Sequence, residues 1–364
     1  MKGKLLASFR FAVVLAALSS TAVASTTWYV NGVSGSNSNA CTSAITACKT
    51  IGHAISLGVS GDSIKVAPAT YKERLTIGIS LKILGSNAKT TILDGSGSIG
   101  PVVVIAGATP HVTLSGVTIT NGFSFGNGAG IINNGVLTLL RSAVTGNRSQ
   151  SPCPSGRGCV LRGGGILNAT GARLTIGNST VSDNHVSIPG CSVFYCAAAG
   201  GGIYNGGTLV LYNSTISGNT SGPGNYGSGI SSGGSAKISN STLSGNGPGG
   251  GLYGTATVEN SIVADGCSGS ITSIGYNLSS DDSCNFTSAG DLNNTDPLLG
   301  PLQYNGGPTQ TLALPPGSPA VDAGDPNGCT DGLGHLLKTD QRAKPRPGTA
   351  NTGCDMGAYE RQSD

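Results

Sequence analysis

An eleven-residue pattern occurs six times in the middle of the chain, and its apolar positions keep one spacing throughout. The copies are Val112–Gly122, Leu137–Asn147, Leu174–Asn184, Leu209–Asn219, Ala236–Asn246 and Ala256–Gly266. Slots three and eight are apolar in all six copies, and slots five and eleven are each Asn in four. The starting points lie 20 to 37 residues apart. Self-similarity at such a period predicts a stacked repeat protein.

Each period contains three short stretches with strand-like patterning. In one copy these are the glycine-aliphatic element Gly200–Ile203, the alternating Leu209–Leu211 and the short Ser214–Ile216. Period-two patterning with β-branched residues predicts strands, and Gly or Asn between them predicts bends. This predicts an all-β chain, a parallel β-helix solenoid with coils about 4.8 Å apart. Degenerate coils are expected at Ile64–Val66, Leu81–Leu84 and Ile271–Leu278.

Two further features of the repeat can be tested by structure. Asn at a fixed slot is expected to stack its side-chain amides along the axis. The register places Ile216 inward, between Val181 and Leu243, and turns Thr215 outward. The alternative is a disordered Gly/Ser tract, which 60 glycines support and the fixed apolar slots oppose.

Residues 1–24 are predicted to be an export signal. Lys2, Lys4 and Arg10 precede the apolar run Phe11–Leu18, and Ala22–Ala24 fits a small-residue cleavage site. We therefore expect a secreted or extracellular protein, with no transmembrane segment. The whole chain has 20 Lys+Arg and 17 Asp+Glu, so its net charge of +3 equals the three basic residues of the signal. A mature chain without a basic excess is not expected to bind nucleic acid.

Ten cysteines suit an oxidising compartment. They form five sequence-neighbour couples: Cys41/Cys48, Cys153/Cys159, Cys191/Cys196, Cys267/Cys284 and Cys329/Cys354. Sequence does not fix the connectivity, but a solenoid places distant residues on distant coils and so favours pairing within each couple. Zinc binding is the alternative, although there is no CxxC pair and His is scarce.

Residues 25–95 are expected to form an N-terminal cap and the first coils. Ile51, Ala54 and Ile55 have helical spacing, which predicts a short amphipathic cap helix over Thr50–Leu57. The segment Cys41–Ile77 resembles the entry region of pectin-lyase-like right-handed β-helix proteins, and this resemblance implies the handedness. The repeats themselves, over residues 96–295, are similar to those of polymorphic outer-membrane proteins.

The C-terminal segment, residues 296–364, has motifs of its own. They are Asp296–Leu302, Asn305–Thr311, Gly317–Gly324, Asp340–Arg342 and Asp355–Glu360. Over roughly Asp296–Arg361 this resembles the domain of choice-of-anchor Q proteins, which ends a secreted β-helix and often precedes a surface-sorting tail. The sequence stops at Asp364 without such a motif, so we expect release from the cell, with cell-surface association as the alternative. Abundant Pro and Gly predict a loop-rich plug on the last coil.

Enzymes are known on the fold that this resemblance implies, yet the central coils have few carboxylates. Between Gly95 and Ala264 the acidic residues are Asp183 and Glu259, in different slots and three copies apart. Glycoside hydrolysis uses a carboxylate pair, and calcium-dependent elimination needs several carboxylates on one metal. The sequence therefore leans against an enzyme, and we predict no catalytic residue. A remaining catalytic alternative uses His185 or His111 as base, with Arg148, Arg157 or Arg162 neutralising an acidic sugar.

Two insertions of similar length interrupt consecutive coils at the same place. They are Arg148–Gly163 and His185–Gly200, and each contains a close cysteine couple. Stacking should bring both to one edge, where insertions often form a binding surface. The candidate binding residues are Arg157, Arg162, His185, Phe194 and Tyr195, with the outward-facing Tyr204 and Tyr212. Otherwise the insertions are tolerated surface loops.

A weak calcium candidate lies in the acidic tail. Asp322, Asp325 and Asp331 are close in sequence, but Cys329 occupies a ligand slot of the usual calcium loop. Turns in which Asx side chains accept backbone hydrogen bonds are the favoured interpretation. No cofactor is predicted.

The sequence favours an exported, non-catalytic, monomeric β-helix that contacts polysaccharide or another cell-envelope component. A polysaccharide lyase or glycoside hydrolase acting on acidic glycans is the first alternative. A structural, adhesin-like stalk is the second.

Overall fold

The computed structural model describes residues 25–152, 158–191, 196–224, 226–347 and 353–362. Within these ranges the regular structure is almost entirely β, with a single helix, α1 (Ile51–Leu57). The first strands are β1 Thr27–Val30, β2 Ser63–Val66, β3 Ala69–Tyr71, β4 Leu75–Ile77, β5 Leu81–Gly85, β6 Thr91–Asp94, β7 Val103–Ile105, β8 His111–Ser115, β9 Thr118–Thr120, β10 Phe123–Ser124, β11 Ile131–Asn133, β12 Val136–Leu140, β13 Ala143–Thr145, β14 Arg148–Gln150, β15 Cys159–Arg162 and β16 Ile166–Asn168. The remaining strands are β17 Arg173–Gly177, β18 Thr180–Ser182, β19 His185–Ser187, β20 Cys196–Ala199, β21 Ile203–Asn205, β22 Thr208–Tyr212, β23 Thr215–Ser217, β24 Thr220–Gly222, β25 Ile230–Ser232, β26 Ser235–Ser239, β27 Thr242–Ser244, β28 Leu252–Glu259, β29 Ile262–Val263, β30 Cys267–Gly275, β31 Leu278–Ser279, β32 Leu302–Gln303 and β33 Thr311–Leu312.

Three stacks of parallel strands run along the chain, as the three-strand period predicts. Face 1 has the order β1-β2-β5-β8-β12-β17-β22-β26-β28, and face 2 has β3-β6-β9-β13-β18-β23-β27-β29-β31. Face 3 has β4-β7-β11-β16-β21-β25-β28. The long β28 pairs with both β25 and β26, and β30 pairs with it as the next coil, so faces 1 and 3 join there into one 16-stranded sheet. The molecule is a right-handed parallel β-helix.

The apolar slots of the repeat form the core. Ile216 pairs in register with Val181 on one side and Leu243 on the other, and all three are fully buried. The cap helix α1 packs Ile51 and Ala54 into the same core, with Thr50 as its N-cap residue. The expected inward register and the cap helix are both confirmed.

Buried asparagines connect the coils, as the fixed Asn slots predict. At slot eleven the Asn147 side-chain amide donates to Asn184 Oδ1 at 2.9 Å, and the same bond continues to Asn219 and Asn246 at 3.0 Å each. The row ends on Asp265, whose Oδ2 accepts from the Asn246 amide at 2.7 Å. Each buried amide thus has partners on adjacent coils, which removes the cost of desolvating it.

The glycine runs before face 3 are explained by this ladder. A Cβ on Gly202 would lie 2.7 Å from the carbonyl oxygen of Gly229 and 2.9 Å from Cγ of Asn219. Gly200, two residues earlier, has a φ of +66°, a conformation that favours glycine. The backbone can therefore approach the asparagine row only where there is no side chain.

A second buried ladder was not predicted. Asn133 donates to Asn168 Oδ1 at 2.8 Å, Asn168 donates to Asn205 Oδ1 at 2.7 Å, and Asn205 donates to Ser232 Oγ at 3.1 Å. These residues end the face 3 strands. The sequence signal was the recurrence of Ile-x-Asn directly after the glycines.

The tail is loop-rich, as predicted, but the predicted plug on the last coil is wrong. The tail runs along the outside of several coils, over face 2 and the corner between faces 1 and 2. Thr180 Oγ1 donates to the carbonyl of Gln310 at 2.6 Å, Thr215 Oγ1 to Gln341 Oε1 at 2.7 Å, and the slot-five Asn213 to the carbonyl of Thr339 at 2.7 Å. Face 2 presents outward threonines whose hydroxyls need partners, and the tail provides them.

Four of the five expected cysteine couples are disulfide-bonded in the structure. They are Cys41–Cys48, Cys191–Cys196, Cys267–Cys284 and Cys329–Cys354. The fifth expected couple includes Cys153, which lies outside the described residues. Every bonded couple is local, as expected for a solenoid.

Thr215→Val tests whether the tail covers face 2. Thr215 faces outward as predicted but is fully buried beneath the tail, so losing its hydroxyl removes the donor to Gln341 and should lower the free energy of unfolding by about 1–3 kcal/mol. Thr208→Val, on the exposed start of β22, is the matched control and should change it by less than about 0.5 kcal/mol. Urea unfolding measures both. Equal effects of the two variants contradict this position of the tail.

Candidate functional site

The two insertions lie side by side, as predicted, and their described parts contain strands. After face 2 the chain forms β14 and then β15 before it enters face 3. One coil later it forms β19 and then β20 in the same way. Strand β14 pairs with β19, and β15 pairs with β20, so that Arg148 lies opposite His185 and Cys159 opposite Cys196. We call these four strands the side wall.

The side wall has a small core that is separate from the main core. Leu161, Val186, Ile188 and Ala198 are buried together, with the Cys191–Cys196 disulfide at its edge. The expectation of simple loops is therefore incomplete. Each insertion forms two strands, which bury alternating residues such as Leu161 and Val186 and pair with the strands of the other insertion. Strands β15 and β20 of the wall lead directly into β16 and β21 of face 3, so the wall lies beside that face.

Face 3 presents a straight row of outward side chains next to this wall. Ile132, Leu167, Tyr204, Ser231 and Tyr253 follow one another in register on successive coils. At about 4.8 Å per coil the row is about 19 Å long. Four of its five members are apolar or aromatic and partly exposed, and the fifth, Ser231, is buried between Tyr204 and Tyr253. The row therefore offers partly exposed apolar and aromatic side chains at intervals along the axis.

Arg162 and Tyr204 join the wall to the row. The guanidinium of Arg162, at the end of β15, lies over the Tyr204 ring at 4.9 Å from its centroid. The Arg162 backbone amide donates to Asn127 Oδ1 at 2.8 Å, which fixes the end of the strand. These two predicted site residues are therefore brought together. A stacked guanidinium keeps its in-plane N–H donors available to a ligand.

A second aromatic pair lies at the other end of the row, in a cleft of about 430 Å³. Tyr226 and Tyr253 meet edge to face, with centroids 5.2 Å apart. Asp265 and Asp281 line the same cleft. Asp265 lies one residue beyond the interval Gly95–Ala264, so the carboxylate pattern of the central coils did not predict this cleft.

Both carboxylates of the cleft also hold the backbone. Asp265 accepts from the backbone amides of Gly245 and Asn246 at 2.7 and 2.9 Å, and Asp281 accepts from the backbone amide of Ser283 at 3.0 Å. The two acidic residues within the interval Gly95–Ala264 lie elsewhere. Asp183 follows β18 on face 2, and Glu259 ends β28 beside the tail, where burial raises its pKa.

His185 lies on the outer surface of the side wall. Its Nδ1 makes a hydrogen bond with Thr220 Oγ1, and Arg148 is its partner on the neighbouring strand. Burial, and then the positive charge of Arg148, lower the pKa of His185 below its usual value. The imidazole is therefore neutral at pH 7 and does not add positive charge to the wall.

Among the described residues, the predicted site residue Tyr212 is not part of this group. Tyr212 is on face 1, where its ring packs against Gly177 and burial, then Asp331, raise its pKa. Tyr212 therefore points away from the row that contains Tyr204. Arg157, Phe194 and Tyr195 lie outside the described residues.

The weak calcium candidate has the geometry of turns. Asp325 Oδ1 accepts from the backbone of Asn327 at 2.8 Å, Asp331 Oδ1 accepts from Leu333 at 2.8 Å, and the Asp322 backbone donates to Asp355. In the described part of the chain, the three potential metal ligands that lie together are Cys41, Cys48 and His53, and the two cysteines are bonded to each other. The turn interpretation is therefore favoured over a calcium site.

Known structures with related shapes are enzymes of pectin chemistry. Pectate lyase Pel9A has 17% identity and a TM-score of 0.42, covering 93% of this chain and 98% of that chain. A rhamnogalacturonan lyase has 14% identity and a TM-score of 0.33, covering 70% and 68%. The pectin methylesterase PemA from Erwinia chrysanthemi has 11% identity and a TM-score of 0.31, covering 68% and 82%.

No family model and no curated protein matches the sequence. In the described ranges, the chain contains no helix of the length and apolarity needed to cross a membrane.

Arg148→Gln tests the electrostatics of the side wall. The unfolded chain protonates the His185 imidazole near pH 6.5, whereas the folded protein protonates it at lower pH because burial and Arg148 lower its pKa. The free energy of unfolding therefore falls as the pH drops through the interval between the two pKa values. Removing the Arg148 charge should raise the pKa of His185 and narrow that interval. NMR titration of the His185 imidazole measures this pKa. Arg173→Gln, on face 1, is the control and should leave it unchanged. An unchanged pKa of His185 in Arg148→Gln would contradict the pairing of Arg148 with His185.

Proposed function

We propose that this protein is an exported, non-catalytic polysaccharide-binding β-helix, and that face 3 is its binding surface. The observation that supports this most is the outward row of Leu167, Tyr204 and Tyr253 beside the side wall. Because equivalent positions recur at a fixed rise from coil to coil, the row fits a ligand that is itself a linear polymer.

Each part of the surface supplies a contact that sugars use. Tyrosine rings provide flat apolar area together with a polar hydroxyl, and Arg162 beside Tyr204 supplies donors for hydroxyl or carboxylate oxygens. At the far end, Asp265 and Asp281 provide acceptors for sugar hydroxyls next to Tyr226 and Tyr253. Few polar groups set among aromatic area are typical of ligand-binding sites.

The rest of the molecule fits an extracellular role. Disulfides persist in oxidising compartments, and the four described bonds extend from the N-terminal cap to the tail. We propose residues 1–24 as a signal peptide, 25–95 as cap and first coils, 96–295 as the repeats, and 296–364 as a choice-of-anchor Q-type domain. The protein is expected to act as a monomer at the cell envelope or in the medium.

An enzymatic role is the second candidate, favoured by the two carboxylates of the Tyr226–Tyr253 cleft. Glycoside hydrolysis places a carboxylate on either side of the bond that is cleaved. Asp265, however, accepts three hydrogen bonds at the end of the asparagine ladder, which suits a structural anchor. Reducing-end and unsaturated-product assays over a panel of acidic glycans separate the two roles, because product formation that Asp281→Asn abolishes would establish an enzyme.

Glycan binding tests the proposed surface. Tyr204→Ala and Tyr253→Ala should each weaken binding of a polysaccharide identified on a glycan array, by roughly fivefold to tenfold, through lost stacking area. Tyr29→Ala on β1, outside face 3, is the matched control and should bind as the native protein does.

Two results would contradict the proposal. One is native affinity in both face 3 variants with unchanged thermal melts. The other is native protein that binds nothing on the array, which would leave the structural stalk as the better account.

A further inference from the structure

A second cleft lies between the solenoid and the tail, at the corner between faces 1 and 2. Its volume is about 590 Å³, within the usual range of small-molecule sites. The solenoid contributes Ser86, Lys89, Ser115 and Arg141, and the tail contributes the turn at Gly306–Pro308. The cleft forms only because the tail runs back along the coils, and face 3 is the opposite side of the solenoid.

The charges around this cleft have one sign. Lys89 and Arg141 line it, and Lys344 of the tail is close enough that a Cβ on Gly306 would lie 4.0 Å from its Cε. Among the described residues that line it there is no Asp or Glu. The Arg141 and Lys344 side chains have neither a hydrogen bond nor an ion pair with any described residue, so their charges are not neutralised by the protein.

A hydroxyl that lines the cleft also lacks a protein partner. Ser115 is 8% exposed, and its Oγ has no hydrogen bond to any residue in the described ranges. The Oγ atom itself is not fully buried, so it is open to the cleft and can donate to a molecule bound there.

An aromatic ring that does not itself line the cleft lies against Lys89, which does. The Lys89 ammonium lies 4.2 Å from the centroid of the Tyr304 ring, and Tyr304 is 51% exposed. This contact holds the ammonium at the rim without cancelling its charge. A half-exposed ring beside cations offers stacking area next to charge.

We propose that this corner cleft binds an oxyanion group carried by an acidic saccharide. Lys89 and Arg141 hold the anion through charge-assisted hydrogen bonds, Ser115 donates its hydroxyl, and Tyr304 packs against the sugar ring. The volume exceeds that of a single inorganic ion, and the ring favours a sugar over a free anion. This site is separate from the proposed binding surface on face 3, and it recognises the negative charge of an acidic saccharide.

Three matched ligands test the chemistry on the mature protein. They are a uronic acid trimer, its neutral methyl ester and a sulfated trisaccharide, with inorganic phosphate as the free-anion arm. The native protein should bind the acid or sulfated trimer more tightly than the ester, and phosphate alone only weakly. Equal binding of acid and ester, or no binding of any charged probe, overturns the proposal.

Two double variants locate the site. Lys89→Gln with Arg141→Gln should weaken binding of the acidic trimer at least about tenfold, since two charge-assisted contacts are lost. Arg173→Gln with Lys237→Gln removes the same charge from exposed positions on face 1 and should have little effect. An equal loss in both double variants means non-specific attraction and overturns the site.

The same titrations distinguish this proposal from the one for face 3. If Tyr204→Ala and Tyr253→Ala abolish binding of the acidic trimer while the Lys89/Arg141 variant binds normally, the corner cleft is excluded and face 3 stands. If only the Lys89/Arg141 variant loses binding of the acidic trimer, the corner cleft is supported. In that result, binding of the array-identified polysaccharide by the Tyr204 and Tyr253 variants decides face 3 separately.

Discussion

The hydrogen-bonded row of buried asparagines is the constraint on which the rest of the structure depends. A parallel β-helix must repeat its register from coil to coil, and a one-residue slip would turn core residues to the surface. Asn184 donates to Asn219 and accepts from Asn147, so one side chain fixes both neighbouring coils. A slip would leave these amides unpaired inside the core, which is costly.

The same constraint accounts for the glycines and for the side wall. The ladder brings the backbone before face 3 so close that glycine is required, as at Gly202. The insertions begin directly after the ladder residues Asn147 and Asn184 and therefore start from equivalent positions on adjacent coils. Their strands can pair because the ladder has already aligned them. Arg162 reaches Tyr204 for this reason, and the candidate surface is a consequence of coil register.

The repeat unit was predictable from sequence because its signals are local. Apolar slots, strand alternation and glycine bends all lie within about ten residues, and the resulting register for Ile216 is confirmed. The burial of Thr215 was not predictable, because it depends on tail residues such as Gln341, which lies 126 residues away in sequence. Nothing near Thr215 distinguishes a solvent-facing threonine from one that the tail covers. Composition predicted the tail to be rich in loops, but it contained no information on where those loops would lie.

The candidate site was predictable in part for the same reason. Stacking rules placed the insertions on one edge and turned Tyr204 outward, but Tyr212 was assigned to the same site although it belongs to another face. The cleft with Asp265 and Asp281 was not predicted, because distance along the sequence does not measure distance along the solenoid axis. Residues one coil apart are about 4.8 Å apart in space whatever the length of chain between them. In a solenoid, function is therefore better sought along rows of equivalent positions than within single motifs.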